Sequence, residues 1–218
     1  MRYFISLSRL PNEAVMTHEP TVYVIDDDVA VRRFLEDLIE SVSLRVEAYA
    51  SAQEFLDAFD PGAPGCVVLD IRMPGMSGLE LQRELAERAI SLPIIILTGH
   101  GDVQIAVRAM RAGAVDFIEK PFNNELLLDR VQMAVAQSVD AANARAKQDE
   151  FATRMNSLTP REHDVLDLVV TGETNKGVAR RLGISEKTVE VHRARVMAKM
   201  QAKSLADLVR IVTISDVG

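Results

Sequence analysis

An α/β domain followed by a small all-helical domain is predicted by two patterns along the chain. Five short β-branched runs, at 21–26, 45–49, 66–70, 93–98 and 115–120, alternate with stretches of helical periodicity. From about residue 158 such runs are replaced by short helical patterns with clear start signals. Strands that are apolar throughout are those covered on both faces, and parallel strands must be joined by crossovers such as helices. Five such units make a doubly wound sheet.

The length agrees. A chain of 218 residues, 48% of them apolar, holds two small domains with real cores. Its single Cys excludes a disulfide or a Cys-based zinc framework, and Cys66, inside the run CVVL, is expected as a buried, inert thiol. The four His (His18, His100, His163, His192) lack ligand spacing. No apolar run approaches the roughly 18 residues of a membrane span, and FISLSRLP is too short and polar for a signal-peptide core. A soluble, cytoplasmic protein without membrane contact is expected.

In order, TVYVID (21–26) is the first strand. Val31, Leu35, Leu38, Ile39 and Val42 then recur at three- and four-residue steps, as one buried helical face would. RVEAY, CVVLD, PIIILT and VDFIEK are the remaining strands. From about Asn123 to Met155 runs a helical stretch without Pro or Gly. Its first half can pack through Leu127, Val131 and Val135, while its second half has a weak apolar stripe and reads as a helical linker. Beyond Leu158 four short helices are expected: Thr159-Pro160-Arg161-Glu162 and Ser204-Leu205-Ala206-Asp207 read as capping boxes, Ser185 as an N-cap, and Gly172 and Gly183 as turn positions.

Charge divides along the same line. Ser157 to Gly218 carries ten basic and eight acidic residues, a balance of +2, which leaves the other 156 residues at −9 within a total of −7. An acidic body with a basic end piece suggests two tasks, one involving nucleic acid.

The chemistry-bearing residues stand at strand ends. Asp26, Asp27 and Asp28 close the first strand, Asp70 the third, Thr98 the fourth and Lys120 the fifth. In open parallel sheets these ends line the crevice where ligands bind. Converging carboxylates need a counter-charge, and a hard cation with oxygen ligands, most simply Mg²⁺, supplies it. One carboxylate can then attack a phosphoryl group, with an ammonium and a hydroxyl contacting its oxygens. Asp70, alone at the end of a central apolar strand, is the best nucleophile candidate, and the pair Asp26/Asp27 suits the metal. Taken alone, an Asp run after a strand is often only a helix cap; the joint placement carries the functional reading.

The motifs VIDDD, VVLDIRMPGMSGLEL, IIILTGHGD and AGAVDFIEKPF, in that order and spacing, resemble the receiver domain of two-component response regulators over residues 21–138. The resemblance implies a flavodoxin-like (βα)5 fold with strand order 2-1-3-4-5. It also implies that Asp70 is the phosphoacceptor of a sensor histidine kinase. Metal ligands would be Asp26 (largely through water), Asp27, Asp70 and the Arg72 backbone carbonyl. Thr98 and Lys120 would contact the phosphoryl group, Phe117 would be the aromatic switch, and a cis peptide would precede Pro121.

The segment LTPREHDVLDLVVTGETNKGVARRLGISEKTVEVHRARVMAKMQAKSLADLV resembles the LuxR-type helix-turn-helix domain. The whole is similar to the NarL/FixJ response regulators of the FixJ branch, with the helix-turn-helix from about Asn175 to Ala194 and its second helix in the major groove. Thr188 is expected as a further DNA contact. On a helical wheel, Val189, Val196 and Met200 cluster toward a small core. The opposite side carries Lys187, Val191, Ala194 and Ala198, flanked by Glu190 and Arg195. Val191 is expected against a thymine methyl and Glu190 on a cytosine amino group, with Lys187, Arg193, Arg195 and Lys199 as mostly phosphate anchors. Arg193 lies nearer the core side and has to snorkel outward, and Glu190 has an alternative as the partner of Lys187 or Arg193.

The organisation expected is therefore an amino-terminal extension (1–20, with Met16 an alternative start), a receiver (21–138), a helical linker (139–156) and an all-α four-helix DNA-binding domain (157–218). The partners implied are double-stranded DNA, a histidine kinase, RNA polymerase and a second copy of the chain once phosphorylated. Two other readings compete. An aspartyl-phosphate hydrolase of small molecules is disfavoured because Asp70-Ile71-Arg72 lacks the second carboxylate such enzymes use. A constitutive DNA-binding protein with a non-phosphorylated receiver is disfavoured by the intact set Asp26, Asp27, Asp70, Thr98 and Lys120.

Overall fold

The computed structural model describes residues 19–99 and 103–215. Expectations for residues 1–18, for His100 to Asp102 and for the last three residues lie outside the described residues. The chain forms two compact units that divide between Asn143 and Ala144.

In the first unit β1 (Thr21–Ile25), α1 (Val29–Glu40), β2 (Arg45–Tyr49), α2 (Ala52–Ala58), β3 (Gly65–Asp70), α3 (Gly78–Glu87), β4 (Ile94–Thr98), α4 (Val103–Arg111) and β5 (Asp116–Glu119) alternate, followed by α5 (Asn124–Asn156). The strands form one parallel sheet in the order β2-β1-β3-β4-β5. Alternate side chains of each strand go to opposite faces, so the apolar runs feed two cores. Tyr23, Ile25, Val67, Leu69 and Ile96 pack with Phe55 of α2 and Leu81 and Leu85 of α3. Val22, Val24, Cys66, Val68, Ile95 and Leu97 pack with Leu35 and Ile39 of α1 and with Leu127, Val131 and Val135 of α5. Val42 lies past the end of α1, which stops at Glu40. Cys66 is fully buried, and burial pushes its thiol up to about 12.

The buried stripe of α5 ends at Val139, and the helix continues unbroken through the expected linker. Its last turns join the second unit, because Phe151 and Met155 pack against that unit's core. The remaining helices are α6 (Pro160–Val170), α7 (Asn175–Leu182), α8 (Glu186–Lys199) and α9 (Leu205–Ser215). Val165, Leu166, Val178, Val189, Val196, Met200 and Leu208 form the core, as the wheel of α8 predicts. The Thr159/Glu162 capping box is complete, and Ser185 caps α8. At α9 the Asp207 amide bonds Ser204, but the Asp207 carboxylate takes the Lys203 amide, so the expected box is only half formed. Gly183 ends α7 with φ 67°, a left-handed turn that glycine adopts without strain. Among the described residues no helix is long and apolar enough to cross a membrane.

Candidate acidic site and nucleic-acid interface

The carboxyl ends of β1, β3, β4 and β5 converge. Asp26 follows β1 and is 1% exposed; Asp70 is the last residue of β3 and 8% exposed; Thr98 ends β4 and is 4% exposed. Lys120 follows β5, its amide bonded to the Thr98 carbonyl at 2.7 Å. The Lys120 ammonium donates to Asp26 Oδ2 at 2.7 Å and to Asp70 Oδ1 at 2.6 Å. One cation thus joins residues 94 and 50 positions away from it. The Lys120–Pro121 peptide is cis.

Backbone donors take the other oxygens: the Asp28 amide bonds Asp26 Oδ1 (2.9 Å) and the Arg72 amide bonds Asp70 Oδ2 (2.6 Å). Arg32, one turn into α1, donates to the Asp26 carbonyl at 2.6 Å, and Asp28 caps the same helix. Asp27 points to the surface, with its side chain exposed. The loop after Asp70 folds back tightly onto Gly78, where a Cβ would lie 2.3 Å from the Asp70 carbonyl oxygen. Glycine is therefore required for α3 to start so close to the acidic site.

Burial raises the Asp26 carboxyl above its usual range, against the opposing pull of the Lys120 hydrogen bond and the Asp28 amide. Burial also disfavours the charge on Lys120, but its bonds to Asp26 and Asp70 outweigh that and raise its pKa. The result is a strongly held ammonium beside two buried carboxylates. Among the described residues the Thr98 hydroxyl makes a long contact, 3.4 Å, to the Gly99 carbonyl, which leaves it donor capacity toward a new acceptor.

Among the described residues no three of His, Cys, Asp or Glu are grouped to hold a metal ion. Mg²⁺ does not need three, since it keeps several waters and is typically bound through one or two carboxylates and a phosphate. The all-oxygen donors of Asp26, Asp27, Asp70 and the Arg72 carbonyl suit such an ion chemically. Sequence reasoning assigned the counter-charge of the cluster to a metal; in the structure Lys120 already supplies part of it.

In the second unit α8 presents Lys187, Thr188, Glu190, Val191, Ala194 and Arg195 on its exposed face, Val191 with 46% of its surface open. Two of the expected DNA contacts are occupied within the unit. The Lys199 ammonium is bound to Glu162 Oε2 (2.6 Å) and to the Ser157 carbonyl (2.7 Å), so it braces α8 against α6 rather than reaching outward. Arg193 donates to Asn175 Oδ1 at 2.8 Å, tying α8 to the start of α7. Both lie on the flank of α8 that approaches its neighbours, where Lys199 neutralises the buried Glu162 carboxylate and Arg193 meets the half-buried, uncharged Asn175 amide. Glu162 is almost wholly buried; the Lys199 ammonium, then the Thr159 amide, hold its carboxyl down at about 2.

Comparison with known proteins decides the family. Residues 22–132 match the response regulator receiver domain, and residues 156–212 match the bacterial regulatory proteins of the luxR family. The transcriptional regulatory protein FixJ of Bradyrhizobium diazoefficiens is 46% identical over 90% of this chain and 96% of its own length. The chain belongs to the NarL/FixJ family of response regulators.

The response regulator protein TodT of Pseudomonas putida is 44% identical over 87% of this chain and 84% of its own. Among solved structures, the response regulator StyR matches with a TM-score of 0.85 at 45% identity, covering 89% of this chain and 98% of that one. Full-length FixJ from B. japonicum matches with a TM-score of 0.56 at 45% identity, covering 92% and 99%. This response regulator is accordingly a DNA-binding regulator built from a receiver and a LuxR-type domain. Phe117 of β5 has 45% of its surface open. Sequence reasoning missed Arg32 and the Glu162–Lys199 pair. Arg32 had a signal, one turn beyond the helix cap; the pair had none, because only packing brings α6 and α8 together.

Proposed function

We propose that this response regulator is switched by phosphorylation of Asp70 and that the switch controls its binding to DNA. The observation that carries the reading is the Lys120 ammonium shared by the buried carboxylates of Asp26 and Asp70. Such a constellation serves transfer of a phosphoryl group to a carboxylate: Asp70 is the nucleophile, and Lys120 follows the negative charge onto the phosphoryl oxygens. The donor is a phosphohistidine on a sensor kinase. An oxygen–phosphorus bond forms at Asp70, the phosphorus–nitrogen bond breaks with its electron pair left on the ring nitrogen, and the ring, protonated beforehand on its other nitrogen, leaves as neutral imidazole. Mg²⁺, when bound near Asp26, Asp27, Asp70 and the Arg72 carbonyl, supplies positive charge to the phosphoryl oxygens. The Thr98 hydroxyl donates to the new acceptor oxygens, and its displacement gives Phe117 space to turn inward.

That movement changes a surface already rich in apolar groups. Val107, Met110, Val115 and Phe117, on α4 and around β5, are all at least 39% exposed. Pairing of two receivers through this surface supports a homodimer that places two α8 helices on adjacent half-sites. Lys187, Thr188, Glu190, Val191, Ala194 and Arg195 make the DNA contacts. Incubation of the full chain with acetyl phosphate and Mg²⁺ tests the acceptor: the mass rises by one phosphoryl group mapping to Asp70, and Asp70→Asn gains none. Labelling that persists in Asp70→Asn contradicts the assignment.

A further inference from the structure

The end of α8 is closed in an unusual way. Met200 is its C-cap, the Gln201 amide bonds the Ala198 carbonyl, and the Ala202 amide bonds the Met197 carbonyl at 3.0 Å. This is a Schellman closure, whose left-handed residue is most often glycine. Here it is Gln201, with φ 55°. A side chain at a position where glycine is less strained invites the question of what that side chain does.

Its amide oxygen accepts from Arg154 Nη2 at 3.0 Å, and Arg154 Nη1 donates to the Met200 carbonyl at 3.2 Å. Arg154 lies in the last turn of α5 and is held there by Glu150, four residues earlier. A guanidinium at the carboxyl end of α8 satisfies an otherwise open carbonyl and complements the helix dipole. Beside it, Phe151 and Met155 pack into the core, and Lys199 binds the Ser157 carbonyl just past the end of α5. The last two turns of α5 are thus built into the DNA-binding unit at the end of α8.

We propose that Arg154, through the Met200 carbonyl and the Gln201 side chain, is a positioning residue that fixes the recognition helix for DNA. The proposal rests on the reading of α8 as the DNA-contacting helix. Gln201 occupies a left-handed position and its side chain completes this grip. Arg154 touches no base or phosphate; it acts by setting where the exposed face of α8 lies.

The test uses the full chain, phosphorylated with acetyl phosphate and Mg²⁺, and the duplex that the phosphorylated wild-type protein itself selects from a randomised pool. Gln201→Gly relieves the left-handed strain, so its thermal midpoint is unchanged or raised, yet its affinity for that duplex falls about threefold. Arg154→Met, which keeps the packing stem, weakens binding about tenfold, and the double variant is no worse than Arg154→Met because one contact is removed twice. Hydrogen exchange at 197–202 quickens in both single variants. A Gln201→Gly chain that binds like wild type, or a double variant whose losses multiply, overturns the proposal. A wild-type chain that selects no duplex overturns the α8 reading itself, and this proposal with it.

Discussion

At Lys120 one ammonium neutralises two buried carboxylates, and the consequence of losing it follows from burial. Lys120→Met leaves Asp26 and Asp70 without their shared cation, each still bonded to a backbone amide. Breaking a buried pair from one side costs about 3–5 kcal/mol, so chemical denaturation of the variant should show a loss of that order. It should also accept phosphoryl groups far more slowly. Retained stability together with a wild-type rate of acyl-phosphate formation would speak against the role given to Lys120. Cys66 offers a simpler check: fully buried, with its thiol pushed up to about 12, it should react with a thiol reagent only after denaturation. At this scale the sequence placed Asp26, Asp70, Thr98 and Lys120 correctly at strand ends, because a strand's end is marked by where an apolar run stops. It did not reveal that Lys199 and Arg193 are occupied, because their partners, Glu162 and Asn175, come from other helices.

Helix α8 is held by α6 through one ion pair with a definite pH signature. The Glu162 carboxyl sits at about 2 in the folded unit, below its ordinary value near 4.5, chiefly because of Lys199. A depressed carboxyl contributes stability that is present above the unfolded value and is lost as pH falls through the folded one. The helical unit should therefore lose stability between about pH 4.5 and 2, and Glu162→Gln should flatten that part of its pH profile. Thermal melts across this range, read by the far-ultraviolet signal, check it; an unchanged slope in Glu162→Gln would remove the pair from the explanation. Among elements, the strands were the most legible, since continuous apolar runs such as VVL and IIIL have few other uses in a short segment. The linker was the least legible. Its weak apolar stripe reads as solvated helix, whereas Phe151 and Met155 close the core of the second unit.

Across the whole molecule the acidic receiver and the basic end piece divide the work that a net charge of −7 conceals. A DNA-binding unit of only +2 gains modest electrostatic attraction to phosphates, so one copy binds weakly and two joined copies bind by effective concentration. Binding of the phosphorylated chain should thus fall more steeply with added salt than that of the unphosphorylated chain, since two units release counterions together; parallel slopes would argue against paired binding. The most direct measurement is selection from randomised duplexes followed by titration of the selected duplex, with and without acetyl phosphate and Mg²⁺, for wild type and Asp70→Asn. Phosphorylated wild type is predicted to select a two-fold symmetric site and to bind it more tightly than the unphosphorylated chain, with no change for Asp70→Asn. Equal affinity of phosphorylated and unphosphorylated wild type would contradict the switch.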